Sequence, residues 1–503
     1  TGGSGVRVEK GGSFVMEGGT IRDNAVTGQK AGSDFDGRGG GIHNRGEVWI
    51  QGGTIAGNVA RGYGRGENTG GFGGAVYNQN RLRITGGVIR NNHASFAGGA
   101  VYTNEESRVL VEGGEICENR AEDQRGGGIY ISAASQVKVS GGKILDNTAR
   151  HGSQIFLSST SSGVLSISGG KISGTGTAVW NNGAGVIVTG GEIRGRDCGM
   201  RNLGESQIRG GSISGGEKGI FHDGGKLCLS GGIQVNRIQL TEEHYITVDQ
   251  KLQIQRGCEL LPGSYREGKL LVRITSGEQE REVQKNFSLR KRKRFLLEAG
   301  PGGLYIGREK YVIKFAANGG VGEMGEQKVY VDETVPLDSC TYKRSGYGFV
   351  GWSVQVISKV TDPGMIKWKD KGPVRNLAEN GESIILYALW VKAPVFSGGE
   401  PKVIFYEDEE VDQEIMRYGI RAEDELEGEL TEKIQVEKII LPDFNELKGA
   451  DRLPTDPLHL GEGSIVLTAA NSFGGSSQWI QKYEVSANEA PELEVSDRYY
   501  FVS

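Results

Sequence analysis

Apolar and polar residues alternate in short stretches along the first half of the chain, and each stretch runs into a pair of glycines. Ahead of the pairs stand Val48 and Ile50, Leu82 and Ile84, Val109 and Val111, Val137 and Val139, Leu165 and Ile167, Val186 and Val188, and Leu227 and Leu229. Period two marks strands. Just beyond the pairs comes a further apolar column: Ile21, Ile55, Ile89, Ile116, Ile144, Ile172, Ile193, Ile213 and Ile233. The first glycines of the pairs lie 34, 34, 27, 28, 28, 21, 20 and 21 residues apart. That period is the length of one coil of a parallel β-solenoid. Glycine suits a sharp corner between two strands because it takes positive φ without a Cβ penalty.

Two more motifs complete the coil. Asn24, Asn58, Asn92, Asn119 and Asn147 each stand three residues beyond the isoleucine. Stacked coils about 4.8 Å apart bring such amides into hydrogen-bonding register, so these side chains are expected to be structural rather than catalytic. A second glycine cluster precedes a third strand, as in Gly39-Gly40-Gly41-Ile42 and Gly73-Gly74-Ala75-Val76, giving each coil three sides. If Ile42, Val76 and their equivalents point inward, then His43, Tyr77, Tyr102, Tyr130, Phe156, Trp180, Arg201 and Phe221 form an outward, largely aromatic stripe, with Asn44, Asn78, Asn181 and Asn202 pointing in. The coils from Ile172 onward lack the ladder asparagine and are shorter, so the cross-section is expected to narrow. Residues 236–308 lose the glycine pairs and are expected to form irregular last coils and a cap.

The pairing of a Gly-Gly-apolar motif with I-x-x-N resembles the repeats of polymorphic outer-membrane adhesins and pectin-lyase-like surface proteins. The resemblance covers roughly residues 1–235 and implies a right-handed parallel β-helix over 1–308. From about residue 310 the composition becomes ordinary. Residues 309–392 carry Phe315, Asn318-Gly319-Gly320, Gly346-Tyr347, Phe349, Gly351-Trp352 and Leu386-Tyr387-Ala388-Leu389-Trp390, which resemble the internalin B-repeat, or Listeria-Bacteroides repeat. That resemblance implies a small β-grasp-like fold with Phe349, Trp352 and Trp390 in its core. Residues 393–487, with Gly428 and Leu430-Thr431 ahead of alternating strands, are similar to bacterial Ig-like domains and imply a β-sandwich. Residues 488–503 read as a linker and the start of a further repeat, and the chain reads as a piece of something longer. The fold class is thus mainly β throughout.

Composition narrows the function classes. The 503 residues carry a net charge of −5, which argues against nucleic acid as a partner. No window is apolar enough for a membrane span. Five cysteines show neither metal-ligand clustering nor a disulfide framework, and no cofactor or metal is expected. The basic run Arg290–Arg294 reads as a solvated turn between cap strands. Catalysis on this kind of solenoid requires stacked carboxylates. The outward columns instead read Trp49, Arg83, Leu110, Lys138, Ser166, Ile187, Gln207, Cys228, and Thr20, Thr54, Val88, Glu115, Lys143, Lys171, Glu192, Ser212, with no acids on neighbouring rungs.

The expected function is therefore non-enzymatic: a cell-surface adhesin or host-factor-binding protein of a Gram-positive gut or mucosal bacterium, extracellular and monomeric, with the solenoid as head and the small domains as stalk. A polysaccharide lyase or hydrolase on the same fold is the alternative. Candidate ligand-binding residues lie in the loops inserted at 26–37 and 61–72, namely Phe35, Arg61, Tyr63, Arg65 and Phe72, with Trp49 outward on an adjacent side. Aromatic residues and arginine are enriched at binding hot spots. The partner is expected to be a host protein (immunoglobulin, mucin or matrix protein) or a surface glycan.

Overall fold

The computed structural model describes residues 4–29, 37–63, 70–122, 125–132, 134–159, 162–183, 185–472 and 474–488. The chain divides into two compact units, Thr1–Arg308 and Glu309–Ser503. The first is a stack of coils whose strands pair in parallel with their equivalents one coil away. Among the described residues it contains a 12-stranded, an 18-stranded and a 4-stranded sheet. The register of the first is unbroken from Val6↔Ile42 through Ile42↔Val76 and Val76↔Val101 to Leu260↔Leu289. The 18-stranded sheet takes in both strands that flank the glycine pairs, such as Glu47–Ile50 and Thr54–Ala56.

The two glycines of a pair serve different needs. A Cβ on Gly86 would lie 2.1 Å from the carbonyl oxygen of Gln51 in the preceding coil, so the first glycine permits close backbone approach. Gly87 has φ of +77°, so the second makes the turn. Inward-pointing Val48, Ile50, Ile55, Leu82, Ile84 and Ile89 join one core that runs the length of the unit. The isoleucine column departs from expectation at its end. Ile213 pairs with Val235 rather than Ile233: Ile233 stands two residues beyond the first glycine where the other column members stand three, and the strand Lys226–Val235 carries one extra residue between Leu229 and Val235.

Asn24, Asn58, Asn92, Asn119 and Asn147 form a ladder. Each Nδ2 donates to the next Oδ1, at 2.8 Å for Asn24 to Asn58 and 2.9 Å for the following three steps. The backbone N–H of each donates to the same oxygen, at 3.0 Å from Asn92 to Asn119. Nδ2 also reaches back one coil, as in Asn119 to the Ile89 carbonyl at 2.9 Å. The residue before each asparagine takes positive φ, as Asp23, Gly57, Asn91, Glu118 and Asp146 do, which turns the amide inward. Gln154 closes the ladder by accepting from Asn147 Nδ2 at 2.7 Å. The 4-stranded sheet beside the ladder, ending at Arg120–Ala121, does not continue into the shorter coils. Those coils run through both flanks of the glycine pair as single long strands such as Gly185–Gly195.

Asn44, Asn78, Asn181 and Asn202 are fully buried and point inward. Asn44 Nδ2 donates to Asn78 Oδ1 at 2.6 Å, and Asn181 Nδ2 to Asn202 Oδ1 at 3.0 Å. His222 continues this column, with its Nδ1 3.2 Å from Asn202 Nδ2. Beyond Leu240 the coils become irregular, and the unit ends in the helix Glu280–Gln284 and the antiparallel strands Phe295–Gly300 and Gly303–Arg308. The basic run forms the turn into that hairpin, with Arg290–Lys293 exposed and Arg294 at φ +75°.

Among the described residues the second unit holds two main cores and a small third cluster of Val360, Leu389 and Val391. One main core lies under a four-stranded sheet in which Lys310–Ala316 runs parallel to Ser383–Lys392, and it includes Tyr311, Trp352, Leu386 and Trp390. The other is shared by a three-stranded and a five-stranded sheet, with Ile420 and Ala422 from one and Ile439, Leu467 and Tyr483 from the other. The carboxylate of Asp424 is buried. It accepts from the Leu426 and Glu427 amides at 2.9 and 3.1 Å and from Asn471 Nδ2 at 2.8 Å. No helix among the described residues is long and apolar enough to cross a membrane.

Asn119→Ala strips acceptors from two donors of Asn92 and is expected to destabilise the solenoid by about 3 kcal/mol, whereas Asn24→Ala, at the half-exposed end, should cost less than about 1 kcal/mol. Urea unfolding of the two variants checks the difference. Burial holds the His222 pKa down at about 4, with His244 adding to the effect. Protonation therefore favours the unfolded chain. The stabilisation is complete above about pH 6.5 and is lost as pH falls toward 4, roughly 3 kcal/mol in all. His222→Asn keeps the amide column and is expected to remove that loss, read as a flatter urea midpoint between pH 6.5 and 4 than in the parent.

Candidate binding face

One outward column of the 18-stranded sheet runs in register through Val15, Trp49, Arg83, Leu110, Lys138, Ser166, Ile187, Gln207 and Cys228. The register then carries it on to Thr247 and Arg273. Strand alternation points these residues away from the core because Val48, Leu82 and Val109 on either side of the pleat are committed to it, although Cys228 and Thr247 are themselves buried. Trp49 is 37% exposed, and the Arg83 guanidinium lies over its ring, 4.8 Å from the centroid. Arg83 Nε also donates to Glu112 at 2.5 Å, and Arg81 pairs with Glu47 at 3.1 Å. Exposed contacts of this kind are each worth only about 0.5–1 kcal/mol, so their consequence is to orient rather than to stabilise.

Below Arg83 the face dips. A depression of about 410 Å³ is lined by Arg108, Leu110, Gln136, Lys138, Val164 and Ser166. Farther along the same sheet a cleft of about 540 Å³ gathers Lys226, Glu243, His244, Tyr245, Asp249 and Arg273. There the Arg273 guanidinium lies 4.4 Å from the Tyr245 ring centroid, and Thr241 Oγ1 lies 2.7 Å from His244 Nδ1. Sequence reasoning missed this cleft because the glycine pairs that mark the column stop at Gly231-Gly232. The neighbouring outward column places Lys171 beside Glu192, 3.8 Å apart, and no two carboxylates occupy adjacent rungs of either column among the described residues. Burial pushes the thiols of Cys117 and Cys198 up to about 11, leaving them protonated and poorly nucleophilic at neutral pH.

The predicted site residues do not converge. Phe35 and Arg65 lie outside the described residues. Trp49 belongs to the 18-stranded sheet, whereas Arg61 ends a strand of the 4-stranded sheet on another side of the coil. Arg61 and Tyr63 are exposed at the stem of their loop, which is closed by a bridge between Gly62 and Gly70 and by the Gly62 amide donating to Ser95 Oγ at 2.8 Å. Phe72 is half-buried and packs inward, with its ring centroid 4.6 Å from that of Tyr102 and 5.5 Å from that of Phe96.

Phe72 belongs to a second core that corrects the expected aromatic stripe. Tyr77, Tyr102, Tyr130 and Phe156 do point away from the main core, and their rings stack at 4.9–5.5 Å within 13° of parallel. They are nevertheless buried. The chain ahead of each glycine cluster folds back over them, and Arg38, Phe72, Ala97, Arg125 and His151 form a further parallel ladder of bridges. Phe96 and Ala97 pack on the rings from that cover. The column from Tyr77 to Phe156 is therefore interior. Where the cover ends, Arg201 replaces an aromatic ring, lying 4.3 Å from the Trp180 centroid and 5.1 Å from that of Phe221.

Removing a ring from this second core should leave a cavity like any other core truncation. Tyr102→Ala is expected to destabilise the solenoid by roughly 3 kcal/mol, while Trp49→Ala on the open face should shift the urea midpoint little. In comparisons with known proteins, no protein-family model matches the chain and no curated protein matches its sequence.

Proposed function

We propose that the chain is a non-enzymatic, extracellular surface adhesin or host-factor-binding protein of a Gram-positive gut or mucosal bacterium. In this reading the solenoid is a right-handed, pectin-lyase-like β-helix that serves as the recognition head. Residues 309–392, resembling an internalin B-repeat with a β-grasp-like fold, and 393–487, resembling a bacterial Ig-like domain, form the stalk. The partner is a host protein (immunoglobulin, mucin or matrix protein) or a surface glycan.

The observation that carries the reading is the outward face holding Trp49, Arg83, Arg108 and Lys138. It combines an aromatic anchor, forked donors and cations on a rigid scaffold, the mixture that dominates binding energy at interfaces. Its two described columns carry no carboxylates on adjacent rungs, so the regular coils present a surface for contact rather than for acid–base chemistry. One observation favours the alternative, a polysaccharide lyase or hydrolase: the cleft that brings Glu243, His244, Asp249 and Arg273 together.

Both readings are open to direct test. The immobilised full chain is expected to retain a defined host protein or glycan from mucosal secretions, confirmed by rebinding of the purified component. Trp49→Ala/Arg83→Ala should weaken retention at least tenfold at unchanged thermal stability. Sustained release of reducing ends or unsaturated products from pectins, glycosaminoglycans or mucin glycans, lost in His244→Ala, would replace the adhesin reading with the enzymatic one.

A further inference from the structure

We propose that the depression at Arg108 and Lys138 is a docking site for an acidic peptide segment of a protein partner, in which a carboxylate side chain and an aliphatic one stand two residues apart. The proposal rests on the reading of the solenoid as a head that binds a host protein, and it selects protein over glycan as the ligand.

The shape follows from side-chain length. Three successive rungs place Arg108, Gln136 and Val164 in one outward column and Leu110, Lys138 and Ser166 in the next. The long side chains of Arg108, Gln136 and Lys138 give way to the short ones of Val164 and Ser166, and the surface steps down. Val109 and Val137 between the columns face the core, which makes the floor rigid.

The charge is available to a ligand. Arg81 is paired with Glu47 and Arg83 with Glu112, so the basic groups of the neighbouring rung are already occupied. Among the described residues the charged groups of Arg108 and Lys138 have no ion-pair or hydrogen-bond partner, and no carboxylate lines the depression. An arriving carboxylate thus meets a guanidinium able to bind it through two parallel hydrogen bonds, with an ammonium one rung away. Leu110 and Val164, both half-buried, offer aliphatic contact beside the cations.

Geometry favours a peptide. Arg108 and Leu110 are two residues apart on one strand, so an extended segment lying along that strand repeats their spacing of about 6.6–6.8 Å with its own alternate side chains. The acid then lies over Arg108 and the aliphatic side chain over Leu110. A sugar ring instead gains most from a free aromatic face, and the depression has none. Trp49 is two rungs from Leu110, and Arg83 lies over its ring.

The test uses the full chain and a fluorescein-labelled peptide, acetyl-Gly-Glu-Ser-Leu-Glu-Ser-Leu-Gly-amide, followed by anisotropy. Saturable binding is expected. It should weaken at least tenfold in Arg108→Gln/Lys138→Gln, at least tenfold when both peptide glutamates become glutamine, and measurably in Leu110→Ser, with thermal melting unchanged in each variant. Equal binding by parent and double variant would overturn the proposal, as would preferential binding of dextran sulfate to the same residues. Host-protein retention that survives Arg108→Gln/Lys138→Gln but is lost in Trp49→Ala/Arg83→Ala would sink this site and leave the head reading intact. Charge-dependent peptide binding without any host-protein retention would do the reverse.

Discussion

Everything in the solenoid depends on the demand that polar groups inside one coil be satisfied by the coil beside it. The carboxamide of Asn119 donates back to the Ile89 carbonyl and forward to Asn147 while accepting from Asn92, so one side chain ties several coils into a single register. A one-residue slip would orphan all of these groups at once and turn the isoleucine column outward. The glycine pairs are the steric counterpart of that demand. Only a residue without Cβ lets successive corners approach closely enough for the amides to meet.

This constraint divides the surface. Inward positions are committed to core and ladders, and the column at Tyr77–Phe156 is claimed by a second core. That second core accounts for part of the length that the coils up to His151 have beyond the later ones. An aromatic column pointing away from the main core is a large apolar area, and the chain ahead of each glycine cluster removes it from water. Among the described residues the sheet face at Trp49 and Lys138 has no such cover. It therefore keeps its outward side chains available on a backbone that cannot yield.

Much of this was legible in the residues. The columns headed by Val48, Trp49 and Asn24 follow from spacing alone, because a solenoid converts sequence period directly into spatial neighbours. The failures have specific causes. Gln154 ends the asparagine ladder from seven residues beyond Asn147, a pairing no repeat motif encodes. Ile233 stands one residue short of its column, and one extra residue in that corner brings Val235 into register instead. The extension of the outward column to Thr247 and Arg273 was hidden once the glycine pairs ceased. The outward direction of the aromatic column follows from alternation, whereas its burial does not, since alternation gives direction and says nothing of what folds over it.

What the amino-acid sequence by itself determined was therefore the one-dimensional order: which residues stack, which face inward, and where the coils shorten. Period and glycine placement suffice for that, because they act through local backbone geometry. Only the tertiary structure decided which outward residues meet solvent. Burial of Tyr102, pairing of Arg83 with Glu112, and the open cations Arg108 and Lys138 all depend on side-chain length and on chain returning from elsewhere in the coil, and neither is a property of local pattern.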